Sequence, residues 1–136
     1  MEDHRVPDQL ITASSYYNYW GSPRMARLHQ RRVGKFGGSW YAKRNDKRQW
    51  LKIDMGGLTR VSRCATQGRQ NADQWVTSYY VSYSVKGYRF VTYKEYGRTK
   101  VSKISNQGRW GTISLTSHFS YSLLHTFYNV SSKNLT

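Results

Sequence analysis

Three tyrosines, Tyr16, Tyr17 and Tyr19, surround Asn18 and run directly into Trp20. A tyrosine combines a broad rigid face with a hydroxyl, which suits stacking on a sugar ring or contact with a protein. Just beyond, twelve Lys or Arg lie between Arg24 and Arg63 against two acids, Asp46 and Asp54. Arg31, Arg32 and Lys35, with Lys43, Arg44, Lys47 and Arg48, make a basic set suited to sulfate, phosphate or acidic lipid. The same pattern also describes a merely solvated face. Bond-making chemistry is poorly represented. His4, His29, His118 and His125 are scattered. No Ser-His-Asp order, carboxylate pair or Gly-rich phosphate loop stands out. Cys64 has no Cys or His partner at metal-ligand spacing. The expectation is a binding protein, not an enzyme, with no metal and no cofactor.

The elements that position these residues read as strands. With 136 residues the chain suits one domain. An aromatic content of 15% argues against disorder, and no apolar run is long enough to span a membrane. Tyr79, Val81, Tyr83 and Val85 alternate with Tyr80, Ser82 and Ser84, the period of a half-buried strand. Leu51, Ile53 and Met55 alternate with Trp50, Lys52 and Asp54 in the same way. Thr59 to Thr66 is rich in β-branched residues and is expected to be a third strand, set off by Gly56-Gly57. Lys86-Gly87 is expected to turn the Tyr79–Val85 strand back into Tyr88–Tyr93, and Gly97 to begin the next turn before Lys100–Ile104. Short strands punctuated by glycine predict an all-β sandwich or barrel. Ser14 to Trp40 reads as long loops, the usual place for a binding site on such a scaffold.

Five segments then fall in a telling order: QLITASSYYNYWGSPRMARL, GSWYA, QWLKIDMGG, TRVSRCATQGR and WVTSYYVSYSVKG. Together, over about Gln9 to Lys100, they resemble a discoidin domain, the type C module of coagulation factors V and VIII. Trp20 and Ala26-Arg27-Leu28 match its Trp and Ala-Arg-Leu. Gln49 to Gly56 resembles its "QWLxVDLG" strand. Thr66-Gln67-Gly68-Arg69 resembles its "TQG" turn, and Trp75 to Ser84 its "YVTSYxxxYS" strand. The resemblance implies a distorted jellyroll β-barrel or sandwich, galactose-binding-domain-like, with binding loops called spikes at one end.

Carried over by position, the first spike is Tyr16, Tyr17, Asn18 and Tyr19, with Trp20 supporting it or walling a pocket. The second is Lys43, Arg44, Asn45 and Asp46, and the third Arg69, Gln70, Asn71, Ala72 and Asp73. Arg31, Arg32, Lys35, Lys47 and Arg48 then become a basic rim near the spikes. The implied partners are a cell-surface glycan, an anionic lipid headgroup, or a matrix or receptor protein. Two polar spikes argue against deep membrane insertion, since one buried apolar side chain contributes only ~1.5–3 kcal/mol. Peripheral contact with an anionic membrane stays open, at ~1 kcal/mol per Lys or Arg. Trp40 and Trp50 are expected to be supports. Arg27 and Asp54 are expected to be paired or hydrogen-bonded, with each other as one option.

Departures from the pattern set further expectations. The paired terminal cysteines of the family are absent; Cys64 is alone, so no internal disulfide forms. The first residues, MEDHRVPDQL, lack the apolar core of a secretory signal. Extracellular or cell-surface placement therefore rests on the resemblance. After Val101 the closing motifs of the family are missing, and no Asp, Glu, Lys or Arg occurs from Trp110 to Ser132. The expected organisation is a leader over 1–8, a partial discoidin domain over 9–104 and a divergent tail over 105–136, with the fold incomplete at its C-terminal strands. Apolar alternation at Ile113, Leu115 and Phe119 offers substitute strands. Sequons at Asn129 and Asn134 matter only in a secreted chain. Basic and aromatic residues interleave from 16 to 52, which makes a nucleic-acid-binding domain the second reading, though no nucleic-acid-binding motif accompanies them.

Overall fold

The structure, a computed structural model, describes residues 5–69, 72–104, 110–114 and 120–130, the last two segments by backbone alone. Among the described residues there are ten strands and three single-turn 3-10 segments, the latter at Asp8–Leu10, Tyr19–Gly21 and Pro23–Met25. The strands are β1 Ile11–Ala13, β2 Gln49–Arg60, β3 Arg63–Gln67, β4 Val76–Ser84, β5 Val91–Thr92, β6 Lys94–Glu95, β7 Arg98–Thr99, β8 Val101–Lys103, β9 Trp110–Ser114 and β10 Ser120–Val130.

A six-stranded sheet runs β1-β2-β10-β4-β5, with β8 also on β4. Strand β3 pairs with β9, and β6 with β7, in two small sheets. The charge-free stretch thus supplies β9 and the central strand β10, whose backbone sits between β2 and β4. Leu124, for example, faces Ile53 on one side and Tyr83 on the other. Asn129 lies in β10 opposite Ser78; Leu115, Phe119 and Asn134 lie outside the described residues.

Because β10 is antiparallel to both β2 and β4, those two strands run parallel to each other. β1 is antiparallel to β2. The C-terminal end of β1 and the starts of β2 and β4 therefore emerge at one end of the sheet. The segments 14–48, 68–69 and 72–75 are thrown out there together.

The core follows the alternation. Ile11, Leu51, Ile53, Tyr79, Val81, Tyr93 and Ile104 are buried, and Met55 and Tyr83 pack against them half-buried. Val85, expected to continue the core face of β4, is exposed, because β4 ends at Ser84 and Val85 begins a loop. Ser82 and Ser84 are also buried, so the opposite face of β4 is covered too. Their hydroxyls are satisfied there: Ser82 Oγ lies 3.2 Å from Thr92 Oγ1, and Ser84 Oγ accepts from Gly87 N at 2.9 Å. The returning strand of this hairpin is shorter than expected, Val91–Thr92 alone.

Gly56-Gly57 does not divide two strands. It bulges out of a single β2, between the pairs Leu123↔Asp54 and Tyr121↔Thr59. Gly56 takes φ +71°, and Asp54 Oδ1 accepts from its N–H at 2.8 Å. Asp54 therefore closes this bulge and does not serve Arg27. The break falls later, at Val61-Ser62, before β3.

Burial foremost, with nearby Cys64 adding to it and hydrogen bonds with Thr66 and Ser102 opposing, pushes the Tyr79 phenol up to about 12. The folded chain thus holds this proton to higher pH than the unfolded chain. Its stabilising contribution is complete below pH ~10 and is lost as pH rises to about 12, a change of about 2–3 kcal/mol. Denaturant midpoints of wild type and Tyr79→Phe, compared at pH 8 and pH 11.5, should show the steeper alkaline loss in wild type. Equal losses would remove Tyr79 as the cause.

Candidate functional site

Gln49, the first residue of β2, is buried and holds the first two loops together. Its Oε1 accepts from Ser14 Oγ at 2.8 Å and Ser15 Oγ at 2.6 Å, while its Nε2 donates to Asp46 Oδ1 at 2.8 Å. Ser15 adds two more ties: its carbonyl accepts from Trp40 Nε1 at 2.9 Å, and its Oγ accepts from Lys43 N at 3.1 Å. Asp46 also accepts from Arg48 N, and these two hydrogen bonds, that from Gln49 foremost, lower its carboxyl pKa. It stays ionised as a loop brace. Trp40 is a half-buried support, as expected, and its rim also faces the cleft described below.

A second chain of contacts reaches the third loop. Tyr41 Oη donates to Asn18 Oδ1 at 3.2 Å, and the same oxygen accepts from Gly21 N at 3.1 Å. The Arg69 guanidinium lies 5.4 Å from the centre of the Tyr41 ring and donates from Nη1 to Gln74 Oε1 at 2.8 Å. Asn18, Tyr41 and Arg69, one from each loop, are thereby held as a unit. Gly21 and Gly37 let the Tyr41 ring sit flat against the backbone, since an added Cβ would lie 2.3 Å and 3.0 Å from ring atoms.

Between the loops lies a cleft of about 650 Å³, within the size range of small-ligand sites. Tyr17, Trp40, Tyr41 and Trp75 give it aromatic walls; Asn18, Asn45, Gln67, Gln74, Lys43 and Arg69 give it polar groups. Ser39 and Trp75 line it as well; their Oγ and Nε1 atoms are buried beneath its surface, and neither has a hydrogen-bond partner among the described residues. An orphaned buried donor costs roughly 1–3 kcal/mol until something accepts from it.

Of the residues singled out from sequence, Tyr17, Asn18, Lys43, Asn45 and Arg69 converge on this cleft. Tyr17 is 68% exposed at its mouth. Tyr16, Arg44, Lys47 and Arg48 do not line it. Gln70 and Asn71 lie outside the described residues. Tyr19 and Trp20 form a neighbouring cluster with Phe36: Trp20 meets Phe36 edge-on at 4.8 Å, and Tyr19 meets Trp20 edge-on at 5.4 Å. Arg31, Arg32 and Lys35 are exposed on or beside the tight turn that the Val33–Phe36 bridge closes.

Tyr41, Gln74, Trp75 and Ser39 were not among the expected binding residues. Tyr41 had one visible signal, an aromatic residue just after Gly37-Gly38. The others had none, because their loops meet only through the sheet. Among the described residues no three His, Cys, Asp or Glu gather at metal-binding distance, and no helix is long and apolar enough to cross a membrane.

Antiparallel strands with every site loop at one end of the main sheet define a jellyroll-type β-domain that carries a loop-built cleft. The chain belongs to the F5/8 type C domain family, whose sequence pattern matches residues 10–122. It is 38% identical over 112 residues to lactadherin of Bos taurus, covering 76% of this chain and 25% of lactadherin. It is 36% identical over 102 residues to coagulation factor V of Mus musculus, covering 70% of this chain and 4% of that protein. The chain thus spans only a minor part of these relatives. By structure it is similar to discoidin II of Dictyostelium discoideum, with a TM-score of 0.76 at 21% identity, covering 88% of this chain and 49% of that one. It is also similar to a Clostridium perfringens module solved in complex with GalNAc-beta-1,3-galactose, with a TM-score of 0.67 at 16% identity, covering 90% and 86%. Both likenesses confirm the galactose-binding-like fold.

Proposed function

We propose that this chain is a non-catalytic, extracellular adhesion module that binds a saccharide in the spike-end cleft. The observation that carries the reading is the locked unit of Asn18, Tyr41 and Arg69, which draws three loops around aromatic walls. Aromatic faces stack on sugar rings, and fixed polar groups select among hydroxyl and acidic substituents. The module solved with GalNAc-beta-1,3-galactose supports the choice, because it has the same fold and a saccharide ligand.

An array of neutral and acidic glycans, followed by calorimetry on the binders, tests this reading. Tyr17→Ala and Arg69→Gln should each weaken the best binder about tenfold or more, while Tyr16→Ala should change little. Undiminished binding by both cleft variants, or no binder at all, would overturn it.

A further inference from the structure

Most side-chain amide oxygens of the cleft are already engaged. Asn18 Oδ1 already accepts from Gly21 N and Tyr41 Oη. Gln67 Oε1 accepts from His29 N at 2.8 Å, and Gln74 Oε1 accepts from Arg69. Three of the four amide oxygens in the lining are therefore engaged, and the lining contains no Asp or Glu. Lys43 and Arg69 bring cationic donors to the lining. A neutral sugar presents hydroxyls that must donate as well as accept. This lining offers such hydroxyls few acceptors. A carboxylate or sulfate only accepts.

The back of the Tyr41 wall continues the theme. Tyr41 N donates to Gly21 O, and Gly37 N donates to Trp20 O, so the backbone at Tyr41 is tied to the segment that carries Tyr19 and Trp20. Over this cluster lie cations. The Arg24 guanidinium is 4.6 Å from the Tyr19 ring centre and 5.2 Å from that of Phe36, and Lys35 Nζ is 5.9 Å from that of Trp20. Arg24 Nε is buried without a hydrogen-bond partner among the described residues. Arg31 and Arg32, also exposed, lead into the turn that carries Lys35. Asp8 is committed to Arg27, Asp46 to Arg48 N and Gln49, and Asp54 to Gly56 N, while Asp73 of the third loop makes an interaction of its own.

We infer that the ligand is an acidic polysaccharide, sulfated or rich in uronic acid. One acidic residue occupies the cleft lined by Lys43 and Arg69, and the chain continues past Tyr41 along the strip of Tyr19, Trp20, Arg24, Lys35 and Phe36. This rests on the saccharide reading above. An extended polymer, more than a bilayer surface, fits a recessed cleft joined to a lateral strip. Guanidinium groups fixed by aromatic stacking match sulfate and carboxylate oxygens in paired hydrogen bonds.

The test uses the whole chain with heparin disaccharide and octasaccharide, neutral GalNAc-beta-1,3-galactose, phosphatidylserine vesicles and a single-stranded DNA of the octasaccharide's charge. The octasaccharide should bind at least tenfold tighter than the disaccharide, and its affinity should fall as salt rises. Lys35→Gln/Arg32→Gln, which alters only exposed groups, should lower octasaccharide affinity about tenfold and leave the disaccharide unchanged. Arg69→Gln should weaken both. Tight binding of the neutral disaccharide with no preference for heparin would overturn this inference and leave the saccharide reading standing. Equal binding of DNA, or a preference for vesicles, would overturn it as well. Heparin binding untouched by Arg69→Gln would remove the cleft from both.

Discussion

Gly21→Ala should silence the cleft while the β-domain stays folded. Gly21 is buried in the turn after Asn18, and a Cβ there would sit 2.3, 2.4 and 2.5 Å from three Tyr41 ring carbons. No real contact is that short, so the ring must swing away. The ring is the outer end of a side chain beside an open cleft, so the fold gives up little: about 1–3 kcal/mol, as for other overpacked sites. The site gives up more. Tyr41 loses its position under Arg69 and its hydrogen bond to Asn18, and the three loops are no longer tied. Affinity for the best glycan should fall about a hundredfold, the equivalent of two hydrogen bonds involving a charged or fixed polar partner. Adding Tyr41→Ala removes the clash. The double variant should regain most of the lost thermal stability without regaining affinity. A Gly21→Ala protein that binds like wild type would show that Tyr41 is not the wall of the working site.

The second large effect is expected far from the cleft, at Asp8. The Arg27 side chain is 2% exposed, whereas that of its ion-pair partner Asp8 is 50% exposed. Arg27 also donates to Val6 O at 2.8 Å. The two halves of the pair are therefore unequal. Asp8→Ala leaves a guanidinium buried without its counter-charge and should cost about 2–4 kcal/mol. Arg27→Met removes the buried charge, keeps most of the packing, and frees Asp8 to hydrate; it should cost about 1–2 kcal/mol. In a domain of this size that difference corresponds to several degrees in Tm. Equal losses, or a larger loss for Arg27→Met, would mean that Arg27 stabilises by packing and not as half of an ion pair. The pair ties the segment before β1 to the Arg27 loop, a contact at a sequence distance where no local pattern points.

How much was legible depended on the range of the interaction that decides each feature. Alternation at Leu51, Ile53, Tyr79 and Val81 marked core faces because side chains in a strand change sides at every residue. Alternation does not say where a strand stops. Hence Val85 was misplaced, and Gly56-Gly57 read as a boundary when partner strand β10 carries β2 past it. Arg27 and Asp54 were recognised as charges needing partners, yet their partners are Asp8 and the Gly56 N–H. Partner choice is a matter of which loops lie together in space.

The site divides in the same way. Tyr17, Asn18, Lys43, Asn45 and Arg69 were nameable from residue chemistry and from the ladder of family motifs, since loop residues between recognisable strands keep their place in order. Trp75, Gln74 and Ser39 were not, and neither was the separation of Tyr19, Trp20 and Lys35 into an adjoining strip. Linear order alone thus sufficed for an all-β domain of the F5/8 type C family, its core-facing alternation and a net charge of +15. The meeting of loops 14–48, 68–69 and 72–75, the committed amide oxygens and the cleft with its cationic lining were decided by the fold. They exist only because β10, from the far end of the chain, sets β2 and β4 parallel and brings their starts to one end. Hydrogen bonds and ring contacts across such distances have no counterpart in local residue order.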